Sequence, residues 1–330
     1  MKNLITDVAG TRIGNASDAK VATGTTAIVF DEPAVVAVDV RGGAPGTIET
    51  DLLEPHRTVE RIDAVVLCGG SAFGLEAASG VQAWLSEQGR GFTFVRGDKP
   101  IPIVAGAILF DLLNGGDKNW GRYGPYRELG YEAAKVAGTE FALGTAGTGY
   151  GATTVNLKGG LGSASAKART GHTVGALVAV NAAGSVTVGD GPHFWAAPFE
   201  QDGEFGGRGF PAKNPPETLA VRTKGRPREN TTIAIVATDA VLTKAQAKQL
   251  AVMAQDGLAR AIYPAHTTID GDTVFAAATG RIPLAEPMMD LTELGSIAAN
   301  ALARAIARGI YEASALPFPG ALPAWRDRFG

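Results

Sequence analysis

One cysteine in 330 residues, Cys68, leaves no partner for an internal disulfide and too few thiolates for a zinc cluster. Histidine is nearly as scarce. His56, His172, His193 and His266 show no metal-ligand spacing and read as surface or hydrogen-bonded side chains. No long block of one charge is present: 30 Lys and Arg face 33 Asp and Glu, a net charge of −3, so neither nucleic acid nor a membrane surface is an expected partner. The longest apolar-rich run, 101–113, is too short to span a bilayer and contains Asp111. The opening MKNLITDVAG lacks the apolar core of a signal peptide, which makes a cytoplasmic protein the expectation.

What is present is a globular balance, with 45% hydrophobic and 19% charged residues and 44 glycines for tight turns. β-Branched runs predict strands at 26–30 (TAIVF), 34–40 (AVVAVDV) and 64–67 (AVVL), the last leading through Cys68 into a helix over 75–87. Residues 173–180 and 184–188 suggest a hairpin around Asn181. Residues 200–229 are rich in Gly, Pro and charge and read as an exposed loop. A strongly β-prone run follows at once, 231–238 (TTIAIVAT), expected to be a buried strand. Thr243 fits the N-cap of a helix over 244–262, and Asp290 with Glu293 fits a capping box for a second helix near 291–313. A short strand is expected at 273–277.

Chemistry enters at Asn230-Thr231, where the loop meets the strand. A Thr hydroxyl is a weak nucleophile without an adjacent base. A free α-amine on the same residue supplies one, since its reference pKa of about 7.7–8.0 suits proton transfer near neutrality. Such a terminus inside a chain requires a cut: the Thr231 hydroxyl attacks the Asn230 carbonyl, the acyl group moves from N to O, and water releases the new end. The dipeptide alone is also readable as a plain strand entry. Asp270-Gly-Asp272 likewise reads either as a turn or as a carboxylate pair that binds a cation or orients an amine and a hydroxyl; the spacing of a calcium loop is missing. The Gly-rich runs 144–149 (GTAGTG) and 159–162 (GGLG) fit no phosphate-binding pattern and read as tight turns or as backbone donors for an oxyanion. Cys68 reads as a core residue.

Together these segments resemble the DmpA-like L-aminopeptidase/D-esterase family of self-processing hydrolases. The likeness rests on ITDVAG (5–10), GGSAFGL (69–75), KGGLGS (158–163), VAVN (178–181), NTTI (230–233) and DGD (270–272), in the family's order and over nearly the whole chain. The Asn-Thr junction and HTTIDGDT (266–273) are most similar to the nylon-oligomer (6-aminohexanoate) endo-hydrolase branch. The resemblance implies an α+β chain folded as a four-layer αββα sandwich. It implies one hydrolase domain over 1–330, cut into an α chain of 1–230 and a β chain of 231–330. Thr231 would be nucleophile and, through its amine, base. Asn181 would donate to the tetrahedral oxyanion, and Asp270 and Asp272 would hold the Thr231 amine and hydroxyl. The resemblance further implies no metal or organic cofactor, a small peptide-like or amide-oligomer substrate, and a homotetramer of processed protomers.

Two positions depart from the pattern. A lysine of the nylon-oligomer branch aligns with Asn156, with Lys158 two residues on, so Asn156 and Lys158 are the auxiliary candidates. An active-site tyrosine of the family aligns with Phe110. An N-acyltransferase of the ornithine acetyltransferase type, which also cuts before Thr, is the alternative. A non-enzymatic binder on the same scaffold is a third reading and predicts an uncut chain. The apolar, Pro-rich segment 316–325 is expected to pack across a subunit surface.

Overall fold

In the computed structural model, which describes residues 1–93, 95, 97–213, 215–224 and 230–330, nine strands form one mixed sheet. In chain order the elements are β1 (Thr11–Asp18), β2 (Thr23–Val40), β3 (Thr47–Ile48), β4 (Ile62–Cys68), α1 (Ala77–Glu87), β5 (Val104–Ile108), α2 (Tyr126–Lys135), β6 (Gly160–Lys167), β7 (Thr173–Asn181), β8 (Thr231–Ala240), α3 (Lys244–Ala254), α4 (Asp256–Ala261), β9 (Thr273–Ile282), α5 (Pro287–Tyr311) and α6 (Trp325–Phe329). The strand order is β3-β5-β4-β2-β9-β8-β7-β6, with β1 pairing on β2.

β2 joins the two halves of this sheet. Its first part pairs antiparallel with β1 and β4, its last part with β9. Sequence predicts two strands here; the structure joins them into one of 18 residues, with a register shift between Val29 and Ala34. Asp31, Glu32 and Pro33 look like a turn in sequence. Here they form a bulge, where a proline that cannot donate to the ladder is tolerated.

Side-chain alternation along the strands sorts the core. On one face of β8, Ile233 and Ile235 meet Ile28, Phe30, Val65 and Leu67, so this core lies between the two half-sheets. On the other face, Ala234 and Val236 pack under α3, α4 and α5 through Leu250, Leu258 and Leu302. Ala27, Val29, Ala64 and Val66 turn outward to α1 and α2.

Several local expectations are corrected. Residues 184–188 do not pair with β7, because β6 and β8 occupy both of its edges; Ser185 and Thr187 bridge to Tyr263 and Phe194 instead. Thr243 caps α3 as expected, its hydroxyl accepting Gln246 N, but the helix breaks at buried Gln255, whose amide donates to Asp39 O at 2.8 Å. α5 begins earlier, with Pro287 at its first position. Asp290 reaches back to the Ala285 and Glu286 N–H groups, while Glu293 is drawn away to Arg169. Loop residue Glu204 is tied to Arg304 (2.5 Å) and Arg308 (3.6 Å), and Phe205 is buried beside it. Within the predicted 200–229 loop, residues 214 and 225–229 lie outside the described residues. Among the described residues no helix is long and apolar enough to cross a membrane.

Candidate active site

Thr231 opens β8, a strand buried along its whole length in the middle of its half-sheet. β9 runs parallel to β8, which brings Asp270-Gly-Asp272, just before β9, alongside Asn230–Thr232 across 40 residues of sequence. The junction peptide is held on both sides. Asn230 N donates to Ile269 O at 3.0 Å, and Gly271 N donates to Asn230 O at 2.8 Å. The Thr231 hydroxyl donates to the same Asn230 oxygen at 2.5 Å. Asn230 and Thr231 are 1% and 2% exposed, so the bond sits inside the protein.

The family resemblance implies that the two carboxylates hold Thr231 itself. In the intact chain they hold its surroundings. Asp272 accepts Thr232 N at 2.9 Å with one oxygen, and His266 N and Nδ1, both at 2.9 Å, with the other. Asp270 accepts Ala183 N at 3.3 Å, Thr267 N at 3.0 Å and the Thr267 hydroxyl at 2.6 Å. The physical reason is plain: while Thr231 N is a peptide nitrogen there is no ammonium to hold. Burial, and then the neighbouring Asp272 charge, push the Asp270 carboxyl above the usual carboxylate range. The 41–44 segment wraps this corner, with Arg41 and Gly42 donating to Asp272 O and Ala44 to Asp270 O. Gly42 has to be glycine, since a Cβ there would run into the backbone of Asp270 and Asp272.

Asn181 ends β7 directly opposite Thr231. Directly opposed residues of an antiparallel pair share a face, so the two side chains are neighbours. The Asn181 Nδ2 group donates to Phe110 O at 3.0 Å, and Oδ1 accepts Thr153 N at 3.0 Å and Lys224 Nζ at 3.1 Å. Phe110, which aligns with the family's tyrosine, thus contributes a backbone carbonyl, an acceptor, to this residue. These partners line a cleft of about 420 Å³ that reaches Asn230. Asp111 lies on the same wall, accepting the Thr23 hydroxyl at 2.7 Å and Gly70 N at 2.8 Å; burial raises its carboxyl above the usual range. The opposite wall is the C-terminal segment at 319–322, which sequence assigns to a subunit surface.

The auxiliary candidates stand elsewhere. Lys158 is 1% exposed, and its Nζ donates to the carbonyls of Gly149, Ala152 and Gly159 at 2.8, 2.9 and 2.8 Å. Burial pulls this ammonium down to about 7. It braces the turns behind the cleft and makes no contact with Thr231. Asn156 turns to Asp190 at 3.3 Å. Cys68 is fully buried beside Thr25, and burial pushes its thiol up, away from nucleophile chemistry. Among the described residues no cluster of His, Cys, Asp or Glu is placed to hold a metal.

Three neighbours of the junction are given no role by sequence reasoning: Lys224, which no motif marks, and Gly271 and His266, which lie within the quoted DGD and HTTIDGDT runs. His266 sits at φ 56°, a left-handed conformation rare for a side-chain residue, pinned there by Asp272.

Comparison with known proteins gives a consistent result. The model of peptidase family S58 matches residues 3–320. An uncharacterized aminopeptidase of Mycobacterium tuberculosis is 43% identical, over 99% of this chain and 98% of its own. A 6-aminohexanoate-oligomer endohydrolase of Kocuria sp. is 29% identical, over 90% of this chain and 80% of its own. The L-aminopeptidase D-Ala-esterase/amidase structure from Ochrobactrum anthropi superposes with a TM-score of 0.70 at 20% identity, over 98% of this chain and 90% of its own, a likeness of fold.

Proposed function

This chain belongs to peptidase family S58 and is an amide hydrolase; from that premise we propose that it cuts itself between Asn230 and Thr231 and then works through the freed Thr231. The observation that carries this reading is the Asn230 carbonyl, whose oxygen accepts the Gly271 N–H at 2.8 Å and the Thr231 hydroxyl at 2.5 Å at the mouth of a buried strand. We read the stacking of the three cores, helices outside and half-sheets within, as the four-layer αββα sandwich, with 1–330 as one domain.

Self-cleavage begins when Thr231 Oγ attacks the Asn230 carbonyl carbon. The oxyanion forms on the oxygen that Gly271 N–H already holds, so little reorganisation is needed. Collapse moves the acyl group from N to Oγ, and the former amide nitrogen takes up the hydroxyl proton. One water hydrolyses the ester, leaving a carboxylate on Asn230, a hydroxyl and an amine on Thr231, an α chain of 1–230 and a β chain of 231–330. Asp270 and Asp272 then flank the new amine, hold it in place and offset the charge it takes on each time it accepts a proton.

In turnover the Thr231 amine accepts the Oγ proton as Oγ attacks the substrate amide. The leaving amine carries the proton away, and water resolves the acyl-enzyme. Asn181 Nδ2 has two hydrogens; Phe110 O takes one, and the second serves the substrate oxyanion, a contact worth about 100–1,000-fold in rate. Lys158 and Asn156 take no chemical step. The substrate is a peptide or an amide oligomer, in keeping with the aminopeptidase and 6-aminohexanoate-oligomer relatives. The cleft suits such a molecule: it carries one carboxylate, Asp111, one ammonium, Lys224, and apolar Leu113 and Leu322 between polar walls. Processed protomers assemble as a homotetramer in this reading, and light scattering against the 33.9-kDa chain mass tests that.

Intact mass spectrometry tests the core of the proposal. Wild type is expected as two pieces split after Asn230, and Thr231→Ala as one full-length chain without amidase activity. An uncut wild type with full activity overturns the mechanism.

A further inference from the structure

An asparagine side chain is symmetric in shape and opposite in chemistry at its two ends. Turned over, the amide replaces two N–H donors with an oxygen that repels an anion. A donor to an oxyanion therefore needs its amide locked in one orientation. At Asn181 three partners agree on that orientation. Oδ1 accepts Thr153 N and Lys224 Nζ, and Nδ2 donates to Phe110 O. Thr153 and Phe110 act through their backbones, whereas Lys224 acts through a side chain and a full charge. Lys224 Nζ also donates to the main-chain oxygen of Asn181 at 3.2 Å, so one ammonium grips both the side chain and the backbone of this residue.

A charge-assisted bond is about twice as strong as a neutral one. It also draws electron density toward Oδ1, which makes the Nδ2 hydrogens better donors. Among the described residues lining the cleft, Lys224 is the only cation. From these contacts we infer that Lys224 is the positioning residue for Asn181, fixing its amide with the N–H edge available beside Thr231 and polarising that edge. The inference rests on the hydrolase reading above. Lys224 lies six residues before Asn230. The stretch of chain that ends in the bond to be cut thus also prepares the donor for the reaction that follows.

The test is a double-mutant cycle on the full chain with two readouts, the first-order rate of self-cleavage by intact mass and kcat and KM on an aminoacyl anilide. Lys224→Met is expected to lower kcat at least 10-fold with KM within three-fold. Lys224→Gln, which keeps a neutral donor, falls between Lys224→Met and wild type. In an Asn181→Ala background the same Lys224→Met change is expected to alter either rate by less than two-fold, because its target is gone. A purely structural lysine would lower both backgrounds alike, and that result overturns the inference. So does a Lys224→Met enzyme with unchanged kcat, or one that no longer cleaves itself while Asn181→Ala still does. An uncut, fully active wild type overturns the hydrolase mechanism instead, which keeps the two failures apart.

Discussion

Adding one methyl group at Gly271 tests the geometry of the junction. The φ angle there lies outside the left-handed region, so space alone is at stake. A Cβ at Gly271 would lie 2.8 Å from Thr231 Oγ1 and 2.8 Å from Ala44 O, with Pro45 Cα at 3.2 Å. Both near contacts are closer than a carbon tolerates, and Ala44 O cannot retreat because its own chain is bonded into the Asp270 corner. Gly271→Ala keeps the N–H that holds Asn230 O, so it displaces the nucleophile without removing the oxyanion donor. A displacement of the order of 1 Å costs about 100-fold in rate. Self-cleavage, followed by intact mass after rapid purification, is therefore expected to slow by about that factor. The steric cause is separated by stability measurements in two uncleavable backgrounds. Thr231→Val keeps an atom at the Oγ position and Thr231→Ala removes it. Overpacking costs about 1–3 kcal/mol. With roughly 2.1 cal/mol/K of unfolding entropy per residue, that cost amounts to roughly 1.5–4 °C in Tm for this chain. The Gly271→Ala penalty should be larger in the Val background by about 1 kcal/mol or more. Cleavage within three-fold of wild type, or equal penalties in the two backgrounds, would refute the reasoning.

Two further predictions concern groups behind the site, both measured by urea unfolding on the Thr231→Ala chain. Burial lowers the folded Lys158 pKa from 10.5 to about 7, so between these values the unfolded chain binds more protons and stability rises with pH. The rise attributable to Lys158 reaches at most about 1.4 kcal/mol per pH unit. Lys158→Met is expected to remove that increment, and equal pH slopes with and without the lysine would exclude it. Glu204→Gln leaves Arg304, 2% exposed and bonded to Glu204 at 2.5 and 3.0 Å, with an uncompensated charge. Breaking a buried pair in this way costs about 3–5 kcal/mol, and a loss under about 1 kcal/mol would show that water reaches the arginine.

The sequence is most readable where one short segment determines its own structure. The run 231–238, with its β-branched residues after a charged loop, predicts a buried strand, and β8 covers it and two residues more. Thr243 announces a helix start because capping is a contact of near neighbours, made here with Gln246. Errors arise where the deciding partner is remote. The hairpin at 173–188 fails because strands far along the chain claim both edges of β7. The joint in β2 is hidden because Asp31-Glu32-Pro33 spells a turn as readily as a bulge. At the site, Asn181 and the Asp270/Asp272 pair are legible as residue types and do gather around Thr231, while their partners are not. That Asp272 grips Thr232 and that Lys224 reaches Asn181 depend on strand register and on the reach of one long side chain, neither of which any local pattern encodes.

The strand order has a consequence for what a cut at residue 230 does to the molecule. β8 and β9, both after that point, lie between β2 on one side and β7 on the other, both before it. The two pieces would be interleaved like fingers of clasped hands, and parting them would tear two hydrogen-bonded ladders at once. Folding before the cut is a unimolecular event with the second piece tethered at high effective concentration. Refolding after it is an encounter between strangers. The chain would thus assemble its fold once, while whole, and afterwards hold by topology what it could no longer easily rebuild.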